Sequence, residues 1–430
     1  MEFIYLAGVK IYGAAILAAS FFNEKAKQWV EGRKNIFQII RNSFNDKIEK
    51  RVWFHCASLG EFEQGKPIIE VVKKNYPEFK IVVSFFSPSG YEVRKNDSIE
   101  DYVFYLPLDG PQHAKKFLDL VQPSLVFFVK YDFWHFYIKE LKKRKIPLYF
   151  ISANFRPSQV FFQWYGKFFD KMLRRVTHLF VQNQQSLELL YRNSIPHVTV
   201  SGDTRFDRVF ESSLNVKPLP EIEKFCDRKK IFVAGSTWHA DEKVIADLIN
   251  QSPEKFKFII APHEIKEDQI NNFIKSVFKK SIRYSELTKT GITDAEVLII
   301  DNIGMLSSLY RYADIAYIGG AFGKGLHNVL EAVVFGKPVF FGPRYQKFPE
   351  ASELIKNKTA FSISSAMELK NKIEELLSAP DENEKIKTAS KIYIEKNKGA
   401  ANIIMNYLKM NLGEKTALLV LLFNSAFCNF

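Results

Sequence analysis

The chain has 430 residues, 47% of them hydrophobic, and its 61 lysines and arginines outnumber 48 aspartates and glutamates for a net charge of +13. That length exceeds one ordinary core and predicts two or three domains, while the apolar content excludes a disordered chain. Three widely spaced cysteines, Cys56, Cys226 and Cys428, exclude a disulfide framework and a metal cluster and fit a reducing compartment. The basic residues are spread along the chain, which suits an anionic surface or substrate. With no zinc-ligand spacing, helix-turn-helix pattern or RNP-like aromatic motif, nucleic acid is not the expected partner.

At the N-terminus, residues 3–22 (FIYLAGVKIYGAAILAASFF) reach membrane-spanning length with Lys10 as their only charge. Glu2 precedes the run, and Lys25, Lys27, Arg33 and Lys34 follow it. That is the reverse of a secretory signal and leaves the body of the protein in the cytoplasm. A soluble helix docked on its own domain stays open as a second reading, because Lys10 and two glycines weaken a span. The C-terminal apolar run 417–428 is too short to span.

From Arg51 onward, β-rich runs alternate with helical spacing. The predicted strands are 52–56, 81–85, 102–105, 125–129, 148–151, 179–181 and 198–200, then 231–234, 258–261, 297–300, 315–318 and 339–341. Such alternation predicts parallel sheets covered on both faces. A polar segment with two prolines, 212–221, separates the two series. The expected organisation is a membrane anchor helix over 1–35, a first Rossmann-like domain over 36–211, a linker over 212–222, a second Rossmann-like domain over 223–410, and an atypical tail over 411–430. Two doubly wound domains facing across a cleft place the active site at the carboxyl ends of their strands.

Four segments at strand ends carry candidate chemistry. His55-Cys56-Ala57-Ser58-Leu59-Gly60-Glu61 runs from a strand through a tight turn into a helix. A carboxylate in a helix's first turn is favoured by the dipole, which suits Glu61 as a general base and equally as a simple complement to the helix end. His55 and Cys56 are adjacent on a strand and point to opposite faces, so they are not read as a nucleophile pair. Gly235-Ser236-Thr237 opens the second series as a phosphate cradle or an ordinary helix cap. His263 follows the next strand, and Gly304-Met305 opens another helix.

The glycine-rich stretch 317–331 (YIGGAFGKGLHNVLE) reads as a strand, a turn and a helix whose first N–H groups favour an anion. Asn328 and Glu331 lie within helical reach, and Glu331 suits a ribose diol. Arg344 follows the next strand and suits a bidentate anion contact. The absence of an Asp-x-Asp pattern points to metal-free transfer of a group from a nucleotide-linked donor, with no cofactor.

Taken in order, Ala57-Ser58-Leu59-Gly60-Glu61, Leu106-Pro107-Leu108-Asp109, Ile151-Ser152-Ala153-Asn154, Gly202-Asp203-Thr204-Arg205-Phe206-Asp207-Arg208, Ala234-Gly235-Ser236-Thr237, Pro262-His263 and Gly319-Gly320 through His327-Asn328-Glu331 resemble the Kdo transferases, which attach 3-deoxy-D-manno-octulosonic acid to the lipid A precursor. The resemblance implies an α/β GT-B fold, an inverting mechanism, CMP-Kdo as donor, lipid A precursor as acceptor and the cytoplasmic face of the bacterial inner membrane, whose anionic lipid fits the basic surface. It implies Glu61 as base, with Ser58 and Gly60 on the acceptor side. Ser236, Thr237, His263, Gly304, Met305, Gly319, Gly320, Asn328 and Glu331 are then donor-binding. Where the family has Glu-Thr-Glu-Leu-Trp-Pro-Asn, this chain has Lys130-Tyr131-Asp132-Phe133-Trp134-His135-Phe136. One carboxylate has become lysine, and Asp132, a shortened one, stays a catalytic candidate. The family's Glu-Arg pair is Glu264-Ile265 here, so Arg344 and Lys324 are the candidates for basic donor contacts. Two alternatives remain: another GT-B enzyme using a UDP-sugar, as transferase or epimerase, and a non-enzymatic protein that binds anionic lipid at a membrane surface.

Overall fold

The computed structural model describes residues 1–44, 49–96, 99–216, 218–252, 256–291, 294–323 and 325–411. The chain divides into two compact units, one of 1–208 with the chain from 398 onward, the other of 209–397.

The first unit is built on β1 (Lys50–Cys56), β2 (Phe79–Phe85), β3 (Tyr102–Tyr105), β4 (Pro123–Val129), β5 (Leu148–Ala153), β6 (His178–Val181) and β7 (Val198–Val200). Every pairing is parallel, in the order β3-β2-β1-β4-β5-β6-β7. The strands are near-continuous apolar runs because both faces are covered. Along β1, Trp53 joins the core on one face while Val52, Phe54 and Cys56 join the core on the other.

The second unit repeats the design with β8 (Lys230–Thr237), β9 (Phe256–Pro262), β10 (Ser281–Arg283), β11 (Val297–Ile299), β12 (Ile315–Ile318), β13 (Val339–Phe341) and β14 (Ala360–Ser362). Its order is β10-β11-β9-β8-β12-β13-β14, again all parallel. Twelve of these fourteen strands coincide with predicted runs. The two additions, β10 and β14, are three-residue edge strands.

Two terminal segments are anchored on the first unit. Helix Glu2–Ala19 is long and apolar enough to cross a membrane and has no fully buried residue. One side is docked: the Tyr5 hydroxyl donates to Asp109 at 2.7 Å, Glu2 pairs with His135 and Lys139, and Tyr12 stacks on Phe86. The other side leaves Phe3, Ile4, Ile11 and Leu17 exposed. Of the basic residues read as its charged flank, Arg33 turns inward. Its guanidinium lies 3.8 Å from the Trp29 ring and donates to the Leu106 and Phe86 carbonyls, and burial lowers its pKa to about 9.

The predicted second domain runs to 410, whereas the chain returns to the first unit at Lys398. Asp207 accepts the N–H groups of Gly399 and Ala400, and the returning helix, 400–411, packs Ala401, Ile404, Met405 and Leu408 into the first unit's core. The tail beyond 411 and Lys324 lie outside the described residues.

Candidate functional site

In the first unit the chain leaves β1 at Cys56 and enters helix Leu59–Asn75, with Ser58 at its N-cap position and Glu61 in its first turn. The Ser58 hydroxyl donates to the Glu61 carboxylate. Gly60 is exposed, and a side chain there would make only ordinary contact with the Ser58 hydroxyl at 3.8 Å. Thr204 spends its one hydroxyl proton on the Gln64 carbonyl at 2.6 Å, so the buried Ser152 hydroxyl, also 2.6 Å away, donates to Thr204. Arg208 adds an ion pair to Glu63 at 2.9 Å. Two motifs distant in sequence therefore brace the one helix that presents Glu61.

Asp132 follows β4 and meets a residue that sequence reasoning passed over. The His55 ring is fully buried, with Nε2 2.9 Å from the Asp132 carboxylate and Nδ1 2.9 Å from Ser84 Oγ, which accepts the Trp53 indole N–H at 2.7 Å. Trp134 also points its indole N–H at Nε2, from 3.1 Å. An indole only donates and an ionised aspartate only accepts, so Nε2 serves one of them at a time. Cys56 sits on the opposite face, where burial pushes its thiol well up, so the two neighbours form no pair.

Asp132 also lines a cavity of about 520 Å³, together with Tyr5, Tyr12, Phe86, Phe161 and Phe169. Lys130 follows β4 in a left-handed conformation, φ 66°, and its amine lies 5.8 Å from the Tyr131 ring. Tyr131 is within electrostatic reach of Arg156, Asp203, Arg205 and Glu61.

In the second unit, one buried carboxylate joins two turns. Asp241 accepts the Trp238 N–H at 2.9 Å, the Gly320 N–H at 2.9 Å and the Tyr317 hydroxyl at 2.8 Å. Burial raises its pKa, and these bonds oppose the rise. Ser236, next to last in β8, is left-handed at φ 54°, and Thr237 donates to Glu242, whose carboxyl burial lifts to about 7. The His263 N–H returns to the Thr237 carbonyl at 2.9 Å. A side chain at Gly319 would come within 2.2 Å of the Ser236 carbonyl, so glycine permits the two strand ends to touch.

The glycine-rich turn corrects one expectation. Gly320, at φ 99°, accepts the N–H groups of Gly323 and Gly325, and His327 donates to Gly319. Those N–H groups are spent inside the turn, and the helix that follows is only Leu330–Val333. At the start of that helix the Leu330 N–H is taken by the Asn328 side chain at 3.2 Å. The helix after Gly304 is equally short, Leu306–Leu309, with the Met305 sulfur 2.9 Å from the Asn302 amide. Asn328 donates to Glu331 at 3.1 Å, and Glu331 acts electrostatically on the buried Tyr310, whose hydroxyl lies against Gly235. The Arg344 N–H donates to the Ala321 carbonyl, and its exposed side chain sits beside the turn.

Three rings gather at this sheet end. The Trp238 and His327 ring planes lie within 17° of parallel, with the indole N–H donating to His327 Nε2 at 3.0 Å. The His263 ring lies over both, its centroid 4.5 Å from Trp238 and 4.3 Å from His327. Trp238 and Asp241 were not among the residues singled out from sequence.

Residues 31–208 match the family model described as 3-deoxy-D-manno-octulosonic-acid transferase (kdotransferase). The chain is 27% identical over 422 residues to a bifunctional glycosyltransferase/methyltransferase of Fusobacterium nucleatum, covering 92% of this chain and 63% of that protein. It is also 27% identical to the 3-deoxy-D-manno-octulosonic acid transferase of Aquifex aeolicus, covering 84% of this chain and 97% of the relative. Among solved structures, UDP-GlcNAc 2-epimerase of Neisseria meningitidis bound to UDP-GlcNAc superposes with a TM-score of 0.59 at 17% identity, over 83% of this chain and 99% of that one, a likeness of fold alone. Along most of its length the chain is thus similar to Kdo transferases, and its two all-parallel seven-stranded sheets give it a GT-B-like α/β fold.

Proposed function

We propose that this protein transfers Kdo from CMP-Kdo to a hydroxyl of the lipid A precursor in lipopolysaccharide core biosynthesis, with inversion and without a metal, at the cytoplasmic face of the bacterial inner membrane. The observation that carries the reading is Glu61, held by Ser58 in the first turn of a helix that Ser152, Thr204 and Arg208 brace. Glu61 takes the proton of the acceptor hydroxyl as its oxygen attacks the anomeric carbon. The bond from that carbon to the CMP phosphate breaks, and CMP leaves with the electron pair. Asp132, backed by buried His55, orients the acceptor beside the apolar cavity.

On the donor side, Ser236 and Thr237 offer hydroxyls, and Gly319 and Gly320 let the backbone approach closely. Asn328, Glu331, His263 and the Gly304-Met305 segment bind the nucleotide, while Arg344 supplies positive charge. Lys324 is assigned the same role from sequence alone. The exposed apolar side of the N-terminal helix, with Lys25, Lys27 and Lys34 following it, engages the anionic leaflet.

The test is transfer from CMP-Kdo to a tetraacylated lipid A precursor, with UDP-sugars as competing donors and EDTA present throughout. Transfer that requires CMP-Kdo, survives EDTA and collapses in Glu61→Gln supports the reading. Turnover with UDP-GlcNAc instead, or full activity in Glu61→Gln, overturns it.

A further inference from the structure

The ring cluster at the end of β8 and β12 contains a hydrogen bond whose direction is fixed by chemistry. An indole nitrogen donates and never accepts, so the 3.0 Å contact between Trp238 Nε1 and His327 Nε2 requires a bare Nε2. A neutral His327 then carries its proton on Nδ1. The two ring planes lie within 17° of parallel, and the His263 ring packs against both, its centroid 4.5 Å from Trp238 and 4.3 Å from His327. The His327 N–H bonded to Gly319 and the Trp238 N–H bonded to Asp241 fix the two backbones from which the rings extend.

We propose that Trp238 is a positioning residue for donor binding: its indole N–H holds His327 in the Nδ1–H tautomer, so that the ring gives the donor nucleotide one uncharged N–H. The proposal rests on the assignment of this sheet end to CMP-Kdo and adds a residue and a protonation state to it. Burial and the neighbouring His263 also disfavour the charged ring, bringing its pKa down to about 4, so the same tautomer persists across the neutral range. His263 is the titratable group that acts on it. Without the indole N–H, the ring would be free to move its proton to Nε2, the position a free imidazole prefers, and Nδ1 would become an acceptor facing an anionic ligand.

The test compares wild type with Trp238→Phe, which keeps a flat ring and removes the N–H, in the full-length protein labelled with ¹⁵N-histidine and titrated with CMP at pH 7.5 and 5.5. Wild type should show the Nδ1–H pattern for His327 and similar CMP affinity at both pH values. Trp238→Phe should lose that pattern and bind CMP about tenfold more weakly at pH 7.5, the scale of one lost hydrogen bond. The loss should be the same at pH 5.5, since burial and His263 keep the ring neutral there too. A purely structural defect would weaken CMP binding without changing the His327 ¹⁵N pattern.

His327→Asn and His327→Gln form an independent pair, since the amide nitrogen stands near Nδ1 in the first and near Nε2 in the second; the asparagine variant should bind CMP more tightly. An Nε2–H pattern in wild type, unchanged affinity in Trp238→Phe at pH 7.5, or tighter binding by His327→Gln overturns the proposal. Failure of every protein, wild type included, to bind CMP overturns the donor assignment, while the ligand-free spectrum still decides the tautomer.

Discussion

Both sheets have seven parallel strands, yet their carboxyl ends put acids to opposite uses. In the first unit Glu61 and Asp132 keep their carboxylates partly open, with the supporting groups, His55, Ser152 and Thr204, buried behind them. In the second unit Asp241 and Glu242 are buried and hold backbone and hydroxyl groups, while glycines, hydroxyls and neutral rings form the end of the sheet. An open carboxylate removes a proton, whereas beside an anionic ligand it would repel. In the proposed reaction the first sheet end supplies the base, while at the second Asp241 and Glu242 turn inward and half-buried Glu331, bonded to Asn328, is kept for the ribose hydroxyls.

The sharpest way to break this comparison is at Glu61. Glu61→Gln preserves shape and the contact with Ser58, so turnover should fall by about 10²- to 10⁴-fold with little change in melting temperature and unchanged CMP affinity. Steady-state transfer and CMP-dependent thermal shift, measured on one preparation, check both halves; a large loss of CMP affinity would show that the two sheet ends do not divide the work. Gly319→Ala attacks the other end. Its methyl group would enter to about 2.2 Å from the Ser236 carbonyl, so β12 must shift away from β8, costing about 1–3 kcal/mol and lowering CMP affinity, as denaturation and titration would show.

Asp241→Asn should cost about 1–3 kcal/mol, since an amide cannot accept all three of the bonds the carboxylate accepts, and should weaken CMP binding by loosening Gly320. Here the limits of sequence are plain. The long apolar runs of β1 or β4 are legible because burial on both faces demands them, but β10 and β14 present three half-polar residues at a sheet edge and no period to read. Glu61 was legible from its place after a strand and a glycine. His55 was not, because one histidine in an apolar strand looks like any core residue until Asp132, 77 positions away, folds against it. Asp241 reads locally as a helix cap, which it is; its bond to Gly320 spans 79 residues. Arg33 reads as a flanking charge, yet Trp29 and two carbonyls draw it inward.

The smallest expected effect concerns the helix that closes the first unit. The His178 ring packs against Tyr407 of helix 400–411, centroids 4.1 Å apart and tilted by 30°, and its Nε2 is bonded to Thr199 at 2.9 Å. Burial, with His197 nearby, lowers its pKa from 6.5 to about 4. The unfolded chain therefore takes up this proton near pH 6.5 while the folded chain refuses it until about pH 4. The stability it contributes is complete above pH 6.5 and is lost as pH falls from 6.5 towards 4. His327, also near 4, imposes the same sign on the second unit, so global unfolding alone cannot separate them. Hydrogen exchange can: between pH 7.5 and 5, after correction for intrinsic rates, amides of 400–411 should lose protection in wild type. In His178→Phe, which keeps a ring against Tyr407 but cannot titrate, that loss should disappear. Equal loss in both proteins would show that acid acts on this helix through another group, with Asp207, which accepts the N–H groups of Gly399 and Ala400, the next to test.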